Sequence, residues 1–191
     1  MESVYRFGQD TTMHKDSKLM DMLTGYAAAH QHPFNILVHL IGIPTIMLGV
    51  LIPLTWFSVG EGVTSANLGH LLVFGFFLFY MTLDQIFAIV FLVLSLLLTE
   101  FASRIGALPM ATSGMIAAAL FFGGYALQFV GHAVEKSMPV LVKHPIQANL
   151  AAPFFTIVEF FKILGLRSEL FNAVQEEIAA RREASSVSSS G

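Results

Sequence analysis

The chain has 191 residues, enough for one domain; 55% are hydrophobic and only 12% charged, about half the ~25% charge density of a soluble domain. That balance points to a multi-span membrane protein. A net charge of −3 offers no basic surface to nucleic acid, and the lack of cysteine excludes disulfides, thiolate metal sites and cysteine nucleophiles.

Residues 1–25 read as a polar lead-in without the apolar core of a secretory signal, so insertion is expected to rely on internal segments. From Leu19 to His32, Leu19, Met22, Leu23 and Tyr26 recur at helical spacing and predict a short helix. Pro33 interrupts it and suits the first turn of a new helix, where no N–H is needed. Asn35 to Phe57 is the first span candidate, about the ~20 residues a bilayer core requires. Pro44 and Pro53 inside it are tolerable where neighbouring helices re-satisfy freed carbonyls. Ser58 to Ala66 reads as a loop. Leu68 to Phe101 as one helix would rise ~50 Å, too long for a ~30 Å core. Asp84 and Gln85 at its middle predict two spans, Leu68 to Thr82 and Gln85 to Phe101, joined by a polar turn. Ser103 to Pro109, with Arg104, reads as a loop, and Met110 to Val130 as the next span, rich in small residues that let helices approach. Ile146 to Leu166 is apolar but broken by Pro153 and carries Glu159 and Lys162, three apart and expected to form a local ion pair. It can span, re-enter or lie in the interface. From Arg167 a charged helix is expected to fade into serine-rich disorder, Ser185 to Gly191.

The expected fold is therefore an all-α, multi-pass transmembrane helical bundle, with four spans before His132 and a fifth apolar spanning, re-entrant or interfacial segment. A membrane-embedded domain over 26–166 is flanked by the lead-in and by 167–191. Lys15, Lys18, Lys136 and Lys143 fall on one side of this topology and Arg104 on the other, which makes the first side cytoplasmic.

Two clusters at the edges of the apolar stretches carry the chemistry. The first is His30-Gln31-His32-Pro33-Phe34-Asn35 and on to His39; the second is Gln128-Phe129-Val130-Gly131-His132 and on to Glu135. Ionisable groups are costly in hydrocarbon and raise a functional reading by default. Imidazole and carboxylate together are the ligand types of non-haem iron or zinc. The metal reading takes His30, His39 and His132 as nitrogen ligands, with Glu135 as an oxygen ligand or as an orienter of ligands. Asn35 and His39, four apart, share a helix face, as do His132 and Glu135, three apart, if that stretch is helical. Gln128, one turn before His132, can orient a ligand or simply glue helices. Against this, histidines near an interface commonly bond backbone or headgroups. His32 reads as supporting or solvent-facing; His14, His70 and His144 read as surface or loop residues, and Asp84 as a turn residue. An even number of crossings puts His39 and His132 at one membrane face, so a shared metal requires the break at Asp84.

The same residues resemble a known family. One block is Tyr26-x3-His30-x2-Pro33-x-Asn35-x3-His39-x4-Pro44; a second runs from Gln128 to His132, then Glu135-Lys136-x2-Pro139; a third runs from Ala152-Pro153-Phe154-Phe155 to Glu159-Phe160, Lys162 and Gly165. Over Tyr26 to Leu166 the chain is similar to the fungal-type 2-hydroxy fatty acid dioxygenases of phytosphingosine breakdown. It departs from their pattern in placing two residues rather than three between His132 and Glu135, a rotation of about 100° on a helix. The resemblance implies an Fe(II)-dependent enzyme in a membrane, the endoplasmic reticulum if the source is eukaryotic. It implies fatty acid α-oxidation, in which a long-chain 2-hydroxy fatty acid and O2 give the acid one carbon shorter, CO2 and water. His30, His39 and His132 are then the iron ligands near the cytoplasmic face, with Glu135, Asn35 and Gln128 assisting catalysis. The competing readings are a non-catalytic membrane lipid-binding or transport protein and a metal-dependent lipid hydroxylase fed by a redox partner.

Overall fold

The computed structural model describes residues 19–27, 30–60, 65–136, 142 and 145–189. The lead-in, with Lys15 and Lys18, and the segment with Lys143 and His144 lie outside the described residues, as does His14.

The described chain is almost wholly helical. Helix α1 covers 19–27, α2 Pro33–Thr55, α3 Leu68–Met81, α4 Gln85–Gly106, α5 Met110–Glu135, α6 Pro145–Ile163 and α7 Ser168–Ser189. Pro33 is the first residue of α2, and the His32 ring caps it by accepting from the Phe34 N–H at 3.2 Å. The stretch expected to be a loop at 58–66 instead opens and closes on paired strands: Ser58–Val59 (β1) pairs antiparallel with Ala66–Asn67 (β2). Asn67 and His70 then exchange side-chain-to-backbone bonds at the start of α3, so His70 is a helix-capping residue rather than a loop one. Arg104 likewise lies in the last turn of α4, not in a loop.

The long apolar stretch does break at residues 82–84. Asp84 caps α4 by accepting from the Phe87 N–H at 3.0 Å. Helices α2, α4 and α5 are long and apolar enough to cross a membrane. Helix α3 has 14 residues, a rise of ~21 Å, and falls short of a straight crossing. α7 continues as helix to Ser189, through most of the serine-rich stretch expected to be disordered.

Helices α2 and α5 form the central antiparallel pair, and glycines set their separation. A Cβ built on Gly49 would lie 2.8 Å from the Ala117 carbonyl, and one on Gly124 2.9 Å from the Gly42 carbonyl. One on Gly131 would strike the side chains of Asn35 and Val38. No larger residue fits while the backbones stay this close. The pairing brings the start of α2 beside the end of α5. It therefore joins the two histidine clusters.

Helix α6 closes the same end of the bundle. Tyr80, at the end of α3, donates its hydroxyl to the Leu150 carbonyl at 2.7 Å. Phe154 and Phe161 pack on Phe87, and Arg167 pairs with Asp84 at 2.6 Å with its guanidinium over the Phe87 ring. Leu150 and Phe161 of α6, and Arg167 just beyond it, thus all reach residues 80–87, and the 112° bend between α6 and α7 makes the pair a broken span or a re-entrant segment. Glu159 and Lys162 pair at 3.5 Å, as expected. Helix α7 turns back at 112° and joins α1 through Arg181 and Asp21, with Leu19, Leu23, Val174 and Ile178 buried.

Candidate metal centre

Three imidazoles meet where α2 begins and α5 ends. The ring centroids of His30, His39 and His132 lie 4.5, 5.1 and 5.0 Å apart. Each residue offers a nitrogen within 4.8 Å of the others, and all three side chains are buried. His39 is nearly two turns into α2, His132 one turn from the end of α5, and His30 sits in the short link before α2.

The rings of His30 and His39 are oriented in the same way. His30 Nδ1 lies 2.9 Å from the Tyr26 carbonyl, and His39 Nδ1 lies 2.8 Å from the Asn35 carbonyl. A carbonyl only accepts, so each Nδ1 must carry the proton, and each Nε2 is left with a lone pair. Those two Nε2 atoms face each other at 3.2 Å. Two lone pairs at that distance repel unless a proton or a cation lies between them. A shared proton would take a hydrogen bond from one of the carbonyls or leave a buried cationic ring. A metal ion satisfies both nitrogens: ligands held ~2.1 Å from one ion sit roughly 3.0–3.4 Å apart. Fixing the tautomer through the distal nitrogen is also the usual support for a metal-binding histidine. Burial lowers the His30 pKa from 6.5 to about 4, so this ring is neutral at neutral pH and ready to donate its lone pair. The donor set therefore fits a divalent transition metal.

The shell behind the rings is tight. Tyr26 is sandwiched between the His30 ring, 3.8 Å away and tilted 13°, and Phe155 of α6, 3.7 Å away and tilted 7°. Such stacks add about 0.5–1.5 kcal/mol each, and burial holds the Tyr26 phenol protonated by raising its pKa. Glu135 is the last residue of α5; Lys136 follows in the left-handed conformation, φ 57°. One carboxylate oxygen accepts from the N–H groups of Gln31 and His32 at 2.6 and 3.0 Å, and the other accepts from the Asn35 side-chain amide. Glu135 thus grips the start of α2, where a negative charge is favoured by the exposed N–H groups. Gln128 donates to the Val38 carbonyl at 3.4 Å.

The structure accordingly brings together His30, His39 and His132, with Asn35, Gln128 and Glu135 around them. Glu135 bonds backbone and Asn35. His32 is exposed at its capping position, and His70 is far off, 3.5 Å from Glu100. What sequence reasoning missed is the Tyr26–Phe155 sandwich and the two carbonyl acceptors. The repeat of four between Tyr26 and His30, and again between Asn35 and His39, was the available signal. A cavity of about 310 Å³ opens beside the rings, lined by Met22, Ile43, Ile46, Phe129 and Phe155 among others, and contains no lysine or arginine among the described residues.

A helical membrane-type bundle with a buried three-histidine cluster at one end defines the class of protein. Residues 17–163 match the family described as 2-hydroxy-palmitic acid dioxygenase Mpo1-like, and the chain belongs to that family. It is also 28% identical, over 172 residues, to the 2-hydroxy-palmitic acid dioxygenase MPO1 of Saccharomyces cerevisiae, covering 86% of this chain and 91% of the yeast protein. No solved structure matches.

Proposed function

We propose that this protein is an Fe(II)-dependent dioxygenase that shortens long-chain 2-hydroxy fatty acids by one carbon. The observation that carries the reading is the pair of Nε2 atoms 3.2 Å apart with both Nδ1 atoms against carbonyls, in a chain of this family. Zinc fits three imidazoles equally well, but O2 chemistry calls for a redox metal, which favours iron. His30, His39 and His132 would hold it, and when bound it supplies Lewis acidity and electrons for O2. Three protein ligands leave coordination positions open.

The chain's own residues do the rest. Glu135 and Asn35 hold the link bearing His30 against the start of α2. Tyr26 and Phe155 keep the His30 ring from turning. The cavity beside the rings pairs polar side chains, among them the three histidines, with apolar ones such as Ile43, Ile46 and Phe129, a lining suited to an amphiphile. Among the described residues no lysine or arginine lines it, so a metal held by the three histidines would supply the positive charge for a substrate carboxylate. The reaction balances without a reductant: R–CHOH–COOH and O2 give R–COOH, CO2 and H2O. Lys136, Arg167 and Arg181 at the histidine end, against Arg104 at the other, favour a cytoplasmic site; in a eukaryote the membrane would be that of the endoplasmic reticulum.

The test is anaerobic loading with Fe(II), then aeration with 2-hydroxypalmitate and product identification by mass. Pentadecanoate formed without added reductant is the expected result. A strict need for a reductant favours the partner-fed hydroxylase, and intact substrate with iron-loaded protein favours the lipid-binding reading.

A further inference from the structure

A second cavity, of about 340 Å³, lies between α2, α3, α4, α5 and α6. It is lined by Met47, Val50, Leu51, Val73, Phe76 and Phe91 among others, with no charged side chain among the described residues. Leu51, Val73 and Phe91 are buried parts of its lining. It shares Ile43, Ile46, Tyr125, Asn149 and Ala152 with the cavity at the histidines, so the two spaces meet across these five residues. Among the described residues, the polar side chains lining the second cavity are the two at the junction, where the Tyr125 hydroxyl donates to Asn149 Oδ1 at 2.7 Å and ties α5 to α6. From His39 to Leu51, α2 rises ~18 Å, a length suited to a long alkyl chain.

We propose that the two cavities form one path for the alkyl tail of the 2-hydroxy acid, which passes beneath the Tyr125–Asn149 bridge and ends against Leu51, Val73 and Phe91. The tail is the occupant because this cavity adjoins the site that receives the head and, among the described residues, is lined by apolar side chains apart from Tyr125 and Asn149. The buried side chains of Leu51, Val73 and Phe91 then act as a ruler. A tail too short leaves apolar surface without a partner, and one too long cannot bring its carboxylate to the rings. Each methylene placed or lost in such a space changes selectivity by roughly tenfold or more. This inference rests on the dioxygenase reading for the identity of the head group.

The test uses 2-hydroxypalmitate carrying a terminal diazirine, photolysed on the iron-loaded full-length protein in phosphatidylcholine vesicles. Label on Leu51, Val73, Phe76 or Phe91 is expected. Label confined to outward-facing Leu71, Val93 or Leu97 overturns the path. Because labelling needs no turnover, internal label without product leaves the path standing and removes the catalytic reading. Ala152→Phe, at the junction, should cut internal labelling at least about tenfold and raise the ratio of 2-hydroxydecanoate to 2-hydroxypalmitate turnover. An Ala152→Phe protein that retains the wild-type thermal transition and labels like the wild type also overturns it.

Discussion

Replacing Gly131 by alanine tests whether the closeness of α2 and α5 is what assembles the histidines. The new Cβ would land on the side chains of Asn35 and Val38, well inside the ~3.5–4.0 Å optimum for carbon contacts. Neither neighbour can step aside easily. Asn35 is fully buried and bonded to Glu135, and Val38 is buried and stiff at χ1. Relief requires the helices to part by about 1 Å at this level, beside His39 and His132. Overpacking of this kind costs about 1–3 kcal/mol, and a ~1 Å displacement at a reacting centre costs about a hundredfold in rate. Gly123 is the control: a Cβ there meets nothing within 4 Å, and alanine should be neutral or stabilising by up to ~1 kcal/mol. Both variants would be purified in detergent, and their thermal unfolding and iron content after anaerobic loading compared. Gly131→Ala should lose iron and melt lower, with Gly123→Ala matching the wild type. Equal iron and equal melting in the two variants would falsify the link between helix spacing and the site.

Three further outcomes are expected. Glu135→Ala frees Gln31, His32 and Asn35 together and should speed loss of iron to a chelator by about 10–100-fold; an unchanged rate removes the clamp from the account. Asp84→Asn keeps the cap on Phe87 but drops the charge facing Arg167, at a cost of about 1 kcal/mol, whereas Asp84→Ala loses both, at about 2 kcal/mol; equal melting temperatures for the two contradict the assignment. Added Fe(II) should raise the thermal transition of the metal-free protein and should fail to do so in His132→Ala; a normal shift in that variant rules His132 out as a ligand.

Much of this architecture was legible in local patterns. Pro33 announced the start of α2, and length alone required a break near Asp84, whose carboxylate then proved to cap α4. The histidines could be named because ionisable groups stand out at the rim of apolar segments. Their convergence followed from counting crossings, although α3 is shorter than a bilayer span. What stayed hidden depends on partners distant in the chain. Glu135 reaches Gln31 because α5 ends where α2 begins, and the left-handed turn at Lys136 places that end. Tyr26 earns its place only once Phe155 arrives on α6. The paired strands at 58–59 and 66–67 are too short to leave a periodicity. Hydropathy could not decide the course of α6, which is set by Tyr80 and Asp84.

The grip of Glu135 on residues 31–35 also has a bearing on biogenesis. The first two imidazoles leave the ribosome early, on either side of Pro33, while the third imidazole and the carboxylate arrive only as α5 is completed. A nascent chain therefore inserts its opening helix with an incomplete donor set and a link nothing yet restrains. A metal ion met at that stage would find two loose nitrogens, and the set of three histidines that could hold one is complete only when the bundle has closed.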